Sequence, residues 1–273
     1  MPPAASFSSA TVGATSWSND VEGLQCRRPH GDGRDLFVRK HRLLLARDRA
    51  GKKPLFYSFE DGGLRFASEA KALFASGLSP EVDPSGLPSL LTLGYVEPEG
   101  TLYRGVRQLP PASMMTLERG DAPVVGRYWR APFAAHPERR SLADHVHAVR
   151  RGVERAVERR LEADVPLGAF LSGGIDSTII VGVMRQVLGA KVKTFSIGFS
   201  GDARYDETRY ARIAAKAFET EHTEFTLEPS SFDLVERLVA VHDGPFGDSS
   251  AIPTSVVSRL TREHVTVALT GDG

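Results

Sequence analysis

Residues 165–177 read Val-Pro-Leu-Gly-Ala-Phe-Leu-Ser-Gly-Gly-Ile-Asp-Ser, and no other stretch limits the fold of this chain as tightly. Residues 165–171 are a short apolar run of the kind that forms a strand covered on both faces of a parallel sheet. The run stops at Ser172-Gly173-Gly174, and an apolar segment of helical length follows over residues 178–188. Paired glycines let the backbone turn tightly and bring its N–H groups close to a ligand. The helix adds unpaired N–H donors and the positive end of its dipole, so the junction suits an anion. Ser172 and Ser177 contribute hydroxyls, and Asp176 offers a carboxylate able to hold Mg²⁺ against phosphate oxygens.

The two commoner phosphate loops do not fit. A Walker loop needs Lys-Ser or Lys-Thr after its last glycine, and Gly174 is followed by Ile175. The three-glycine spacing of a dinucleotide fingerprint is also missing. The stretch resembles the pyrophosphate loop of ATP pyrophosphatases, Ser-Gly-Gly-x-Asp-Ser, which split ATP between its α and β phosphates. The plainer alternative is a serine-capped Gly-Gly turn with Asp176 on a solvated first helical turn.

Composition narrows the class. At 273 residues there is room for two modest domains with cores of their own. Lys plus Arg and Asp plus Glu are both 34, so no global basic field argues for nucleic acid. The basic cluster Arg39-Lys40-His41-Arg42 reads first as a solvated strand edge. A single cysteine, Cys26, excludes an intrachain disulfide framework and fits a reducing cytoplasm. No apolar run reaches membrane-spanning length, and residues 1–10 lack the layout of a signal peptide.

Residues 1–38 show no sustained period and are expected to be atypical and disordered. Order is expected from Leu43: an apolar run over 43–46, a polar turn over 47–53 centred on Gly51, and a strand over 55–59. Asp61-Gly62-Gly63 predicts a hairpin turn, with a return strand over 64–67. Ser68 is expected to cap a short helix over 69–76 stopped by Gly77. A further helix is expected over 87–94 and a strand over 113–117. Residues 39–130 thus form one domain and the polar, proline-containing stretch 131–140 a linker.

From residue 141 to 273 helix and strand alternate. Ser141 with Asp144 predicts an N-terminal cap. Leu142, Val146, Val149, Val153, Val157 and Leu161 follow at three- or four-residue steps, one apolar stripe on an amphipathic helix. Strands are expected over 193–199, 222–227 and a buried 265–269, with helices over 205–218, 231–242 and 252–264. Such alternation specifies an α/β fold with a doubly wound parallel sheet. Ligands of such sheets lie beyond the carboxyl ends of the strands, where Ser172, Ile197-Gly198 and Thr270-Gly271 would converge.

In combination these pieces resemble the glutamine-hydrolysing asparagine synthetases of the B type, a class II amidotransferase family. The matching segments include Ala46-Arg47-Asp48 with Gly51 and Pro54-Leu55-Phe56-Tyr57, and Ala67-Ser68-Glu69 with Lys71-Ala72-Leu73. Further on they include Asp164 to Gly168, Leu171 to Ser177, Ser196 to Phe199, Tyr205-Asp206-Glu207, Pro245-Phe246, Asp248 to Thr254 and Val267 to Gly273. The resemblance implies an ATP-pyrophosphatase sheet preceded by a partial α+β N-terminal-nucleophile glutaminase-like domain. It implies ammonia released from glutamine, a β-aspartyl-adenylate formed from aspartate and ATP with loss of pyrophosphate, and displacement of AMP by ammonia.

Carried over, Ser172, Gly173, Gly174 and Ser177 would hold the pyrophosphate, and Asp176 would ligate Mg²⁺. Leu171 and Ile197 would line the adenosine pocket, with Thr270-Gly271 opposite. Asp272 would assist formation of the adenylate and orient ammonia. ATP, aspartate and ammonia are the implied partners, in the cytoplasm, with no membrane or nucleic acid; a homodimer is compatible with the family.

Some residues carry simpler alternatives. Asp206-Glu207 suits helix-start charge, Asp248-Ser249-Ser250 suits a cap as well as a substrate contact, and His242 and His264 lack metal-ligand spacing. The family's glutaminase uses an N-terminal cysteine, whereas this chain begins Met1-Pro2 and Cys26 is internal, so a glutaminase nucleophile is not expected. The family pattern continues beyond Gly273 with an Asp-Glu pair and much of the aspartate site. The expectation is therefore a family piece that binds ATP weakly and makes little asparagine. The alternatives are an amidotransferase ligase of the same fold acting on another carboxylate, in a polysaccharide or β-lactam pathway, and a non-catalytic remnant.

Overall fold

The computed structural model describes residues 15–17, 34–39, 42–97, 99–118, 120–133, 140–199, 207–227, 232–245 and 247–271. They fall into two units, the first made of residues 1–134 and 239–248, the second of residues 135–238 and 249–273.

Two antiparallel sheets carry the first unit. One has the order β1 (Thr15–Trp17), β5 (Gly63–Ala67), β4 (Phe56–Glu60), β6 (Arg107–Gln108). The other runs β2 (Arg34–Arg39), β3 (Arg42–Arg47), β7 (Ser113–Glu118), β8 (Val124–Arg127). Strict alternation in β3 turns Leu43, Leu45 and Arg47 inward. Leu43, Leu45, Met115 and Leu117 of one sheet share a core with Tyr57, Leu64 and Phe66 of the other. Helix α1 (Ala70–Ala75) buries Ala70, Ala72 and Leu73 in a second cluster with Leu78 and Val106, and Phe74 meets Tyr103 edge-on at 4.7 Å. Helix α2 (Leu87–Leu93) ends on Gly94 in the left-handed conformation. The segment 239–248 is held on α1: Lys71 donates from Nζ to the carbonyls of Ala240 and Val241, and from its backbone N–H to Asp243.

The hairpin between β4 and β5 forms where the sequence predicts it, with Asp61 and Gly62 both at positive φ, as the tightest hairpin turns require. Three expectations differ, and one strand was not anticipated. Strands β1 and β2 lie inside the stretch expected to be disordered; Leu36-Phe37-Val38 pairs with Leu43 to Leu45, so cross-strand partners supply what local pattern does not. Ser68 is not the cap of α1, whose N-cap position is Glu69 without a side-chain bond. The two-residue strand β6 was too short to leave a periodic signal. Arg47, read as the start of a polar turn, is buried, and its guanidinium donates to the carbonyls of Lys53, Leu109 and Gly51. Burial lowers the pKa of Arg47, with Asp48 opposing. Burial would raise the Asp48 carboxyl, but N–H groups of Lys52, Lys53, Ala50 and Gly51 outweigh it and hold the carboxyl below its ordinary range.

The second unit is a parallel sheet of order β11 (Glu221–Leu227), β10 (Lys193–Phe199), β9 (Leu167–Phe170), β12 (Val267–Leu269). Its helices are α3 (Leu142–Glu158), α4 (Ile175–Leu188), α5 (Thr208–Ala217), α6 (Phe232–Val241) and α7 (Ala251–Thr261). Val157 of α3, Val181 and Met184 of α4, and Ala211, Ala214 and Ala215 of α5 share one core with Ala169 and Leu171. On the opposite face Phe195 lies parallel to Phe225 at 6.1 Å and tilted against His264 at 5.5 Å, just beyond α7. Helices cover both faces, so the sheet is doubly wound.

The capping box of Ser141 and Asp144 forms as read from sequence. The apolar stripe of α3 splits: Val153, Val157 and Leu161 join the core, while Leu142, Val146 and Val149 stay exposed. The strand expected to be buried at 265–269 is an edge strand; Val265 is buried just before it, but Val267 is exposed. Among the described residues no helix is long and apolar enough to cross a membrane.

Candidate functional site

The chain runs from β9 outward to β10 and β11 on one side, then returns to place β12 on the other side of β9. Such a reversal makes the carboxyl end of β9 a topological switch point, the position at which open parallel sheets bind ligands. Leu171 closes the strand, fully buried, its N–H donating to the carbonyl of Phe195 at 2.8 Å. The chain then leaves the sheet through Ser172, Gly173 and Gly174 into α4.

Gly173 stands at φ +82°, and a Cβ there would lie 2.4 Å from the backbone carbon of Tyr210 on α5. Only glycine meets both conditions, the left-handed backbone and the close approach. The approach is matched from the other side by Ala211 and Ala214, whose small side chains let α5 come close. Gly271, just beyond β12, abuts the first turn of α4; a Cβ there would lie 2.7 Å from the Ser177 nitrogen and 3.1 Å from Asp176 Cβ. The loop is thus held between α5 and the end of β12.

Within it, Ser172 Oγ accepts from the Gly174 N–H at 3.2 Å and lies 3.1 Å from Ser177 Oγ. Ser177, buried, donates to the Gly174 carbonyl at 3.2 Å, and that carbonyl also receives the Thr178 N–H. Either serine can be the donor between the two hydroxyls, so the pair is linked to each other and to the Gly174 backbone within the turn. Ser172, Gly174, Ile175 and Asp176 are exposed. Helix α4 has no side-chain cap, so the N–H groups of its first turn have no partner within the helix. Among the described residues the loop therefore presents backbone donors, the Ser172 hydroxyl and the Asp176 carboxylate, and the segment from Leu171 to Thr178 has no cationic side chain.

Of the sequence-derived residues, the structure brings Leu171, Ser172, Gly173, Gly174, Asp176 and Ser177 together with Gly271, and Thr270 precedes Gly271 at the same strand end. Ile197 is half-buried on β10 at the same end, two residues beyond Phe195. Asp272 lies outside the described residues, as do Tyr205, Asp206 and Cys26. Asp248 lies in the first unit, and Ser250 occupies the N-cap position of α7 without a side-chain cap bond. Among the described residues no three His, Cys, Asp or Glu side chains cluster as a metal site. Asp176 is an exposed carboxylate on the first turn of α4, and Mg²⁺ is held by as few as one or two carboxylates with water and other oxygens completing its shell.

Sequence reasoning missed a polar cluster under α5. His222 Nδ1 is 2.9 Å from Thr194 Oγ1 and its Nε2 3.2 Å from Ser196 Oγ, while Thr194 also meets Thr220 at 2.8 Å. The alternation Thr194, Ser196 on β10 facing His222 on β11 was the available signal.

Residues 148–273 match the asparagine synthase family, and residues 36–129 match the glutamine amidotransferase domain. The chain belongs to the glutamine-hydrolysing asparagine synthetase family. It is 33% identical over 247 residues to a provisionally named glutamine-hydrolysing asparagine synthetase 2 of Methanocaldococcus jannaschii, covering 87% of this chain and 47% of that protein. To asparagine synthetase 1 of Bacillus subtilis it is 33% identical over 234 residues, 85% of this chain and 36% of that protein. The amidase chyE of Penicillium rubens is 31% identical over 188 residues, 63% of this chain and 28% of that protein. The chain therefore spans less than half the length of these relatives. The asparagine synthetase match over 148–273 contains the whole loop from Ser172 to Ser177 and the Thr270-Gly271 pair.

Proposed function

We propose that the second unit binds ATP, with the loop from Ser172 to Ser177 around its β and γ phosphates, and that the family protein uses this site to adenylate aspartate. The observation that carries the reading is the glycine-dependent turn at the switch point of the sheet, which leaves Ser172, Gly174 and Asp176 exposed at an N-terminus of α4 that has no side-chain cap. Cleavage between the α and β phosphates builds charge on the departing pyrophosphate, and preorganised N–H and O–H donors stabilise that charge without rearranging. In this reading the exposed Ser172 hydroxyl would donate to a phosphate oxygen, while Ser177 stays bonded to Gly174 and keeps the turn in shape. Mg²⁺ held by Asp176 would supply charge neutralisation to the phosphate oxygens. Leu171 and Ile197 border the adenosine, and Thr270-Gly271 closes the opposite wall. Asp272 follows that wall and is assigned to the adenylate and ammonia step.

The amidotransferase half is assigned the supply of ammonia from glutamine in the family protein, residues 39–130 forming that domain and 131–140 the linker to 141–273. A cytoplasmic setting fits a chain with one cysteine.

Equilibrium dialysis of the purified chain with ATP and Mg²⁺ tests the reading. Saturable binding that weakens about tenfold or more in Ser172→Ala combined with Asp176→Asn is expected, each lost contact to a charged group being worth roughly 1.5–3 kcal/mol. Unchanged binding in that double variant would sink it. Pyrophosphate release that rises with aspartate, and not with other carboxylates, separates the asparagine reading from a ligase acting elsewhere.

A further inference from the structure

The loop from Leu171 to Thr178 contains no lysine or arginine, so the charge of a bound polyphosphate must be met partly from a neighbouring element. The element in direct contact is the first turn of α5. A Cβ on Gly173 would lie 2.5 Å from both the Ala211 nitrogen and Tyr210 Cβ, so the Tyr210 side chain springs from the wall of the loop itself. Tyr210 is 49% exposed even though its backbone packs against the loop. Arg209 lies over that ring, its guanidinium carbon 4.6 Å from the centroid, and Nη2 donates to Tyr210 Oη at 3.1 Å. Among the described residues Arg209 has no carboxylate within ion-pair distance, whereas Arg212, about one turn on, pairs through Nε with both carboxylate oxygens of Glu224.

We propose that Arg209, held by Tyr210, is the cation that contacts the β or γ phosphate of ATP at the loop. The inference rests on the proposed ATP site and adds a residue to it. Stacking on the ring orients the guanidinium without neutralising it, and a planar fork suits two phosphate oxygens at once. An arginine spent on a carboxylate, as Arg212 is, could not serve. Arg209 is a phosphate-binding residue here, and Tyr210 is its positioning residue.

The test compares ATP with AMP, each with Mg²⁺, by saturation-transfer NMR titration of the full chain. Arg209→Gln is expected to weaken ATP about tenfold and AMP less than about twofold, since AMP lacks the β and γ phosphates. Tyr210→Phe, which keeps the ring, is expected to lose about twofold, and Tyr210→Ala to approach Arg209→Gln. Thermal melts confirm that these exposed substitutions leave the fold intact. ATP affinity unchanged in Arg209→Gln, or AMP weakened equally, overturns the inference while leaving the ATP site standing. ATP failing to bind the unaltered chain overturns the site, and the inference with it.

Discussion

Gly173 concentrates two separate restrictions in one residue: its φ of +82° and the backbone of α5 within 2.5 Å of any added Cβ. Gly173→Ala therefore strains the turn by about 1–2 kcal/mol and also forces α5 away from Ala169 and Leu171. A fall in urea midpoint together with loss of ATP binding is expected; a variant that keeps both contradicts the packing described. His222 offers a different kind of control. Burial pushes its pKa below the ordinary 6.5, with Arg212 and the opposing influence of Glu224 and Thr194 alongside. The folded state thus binds its proton less readily than the unfolded one, so the associated stability is complete above pH 6.5 and is lost as pH falls towards the lowered value. Unfolding free energy measured between pH 7 and pH 5 should drop less steeply in His222→Gln than in the parent; equal slopes would show that this imidazole contributes nothing.

Helix and strand order in the second unit could be read from the chain almost element by element, because each strand there is bounded by turn residues and each helix by an apolar face. Lys193–Phe199 is a strand over the same residues that the sequence pattern predicts, and Ser141 caps α3 through the reciprocal bonds that Ser-x-x-Asp suggests. Removing that cap in Ser141→Ala should cost about 1 kcal/mol. The cost would be read as a lowered thermal midpoint; no change would mean that the exposed first turns of α3 are already frayed. Other features were not legible because they depend on distant partners. Strand β2 is set by pairing with β3, the exposure of Leu142, Val146 and Val149 by what packs on α3, and the burial of Arg47 by carbonyls as far along the chain as Leu109. The loop from Ser172 to Ser177 was legible as a motif, but the contacts of Gly173 with α5 and of Gly271 with α4 were not, since both are tertiary.

At the scale of the whole molecule, the core between the antiparallel sheets and the core around the parallel sheet share no described residue. The family matches divide in the same way, the amidotransferase domain over 36–129 and asparagine synthase over 148–273. The proposed nucleotide site belongs to the second of these segments and depends on the loop from Ser172 to Ser177 alone. Amide chemical-shift mapping of the isotope-labelled chain, titrated with pyrophosphate and Mg²⁺, examines that loop directly. Saturable shifts centred on the amides from Gly173 to Ser177 and on Gly271, absent from the sheets of the first unit, are the predicted result. Shifts that leave residues 172–177 untouched, or that spread without a focus, would contradict the account.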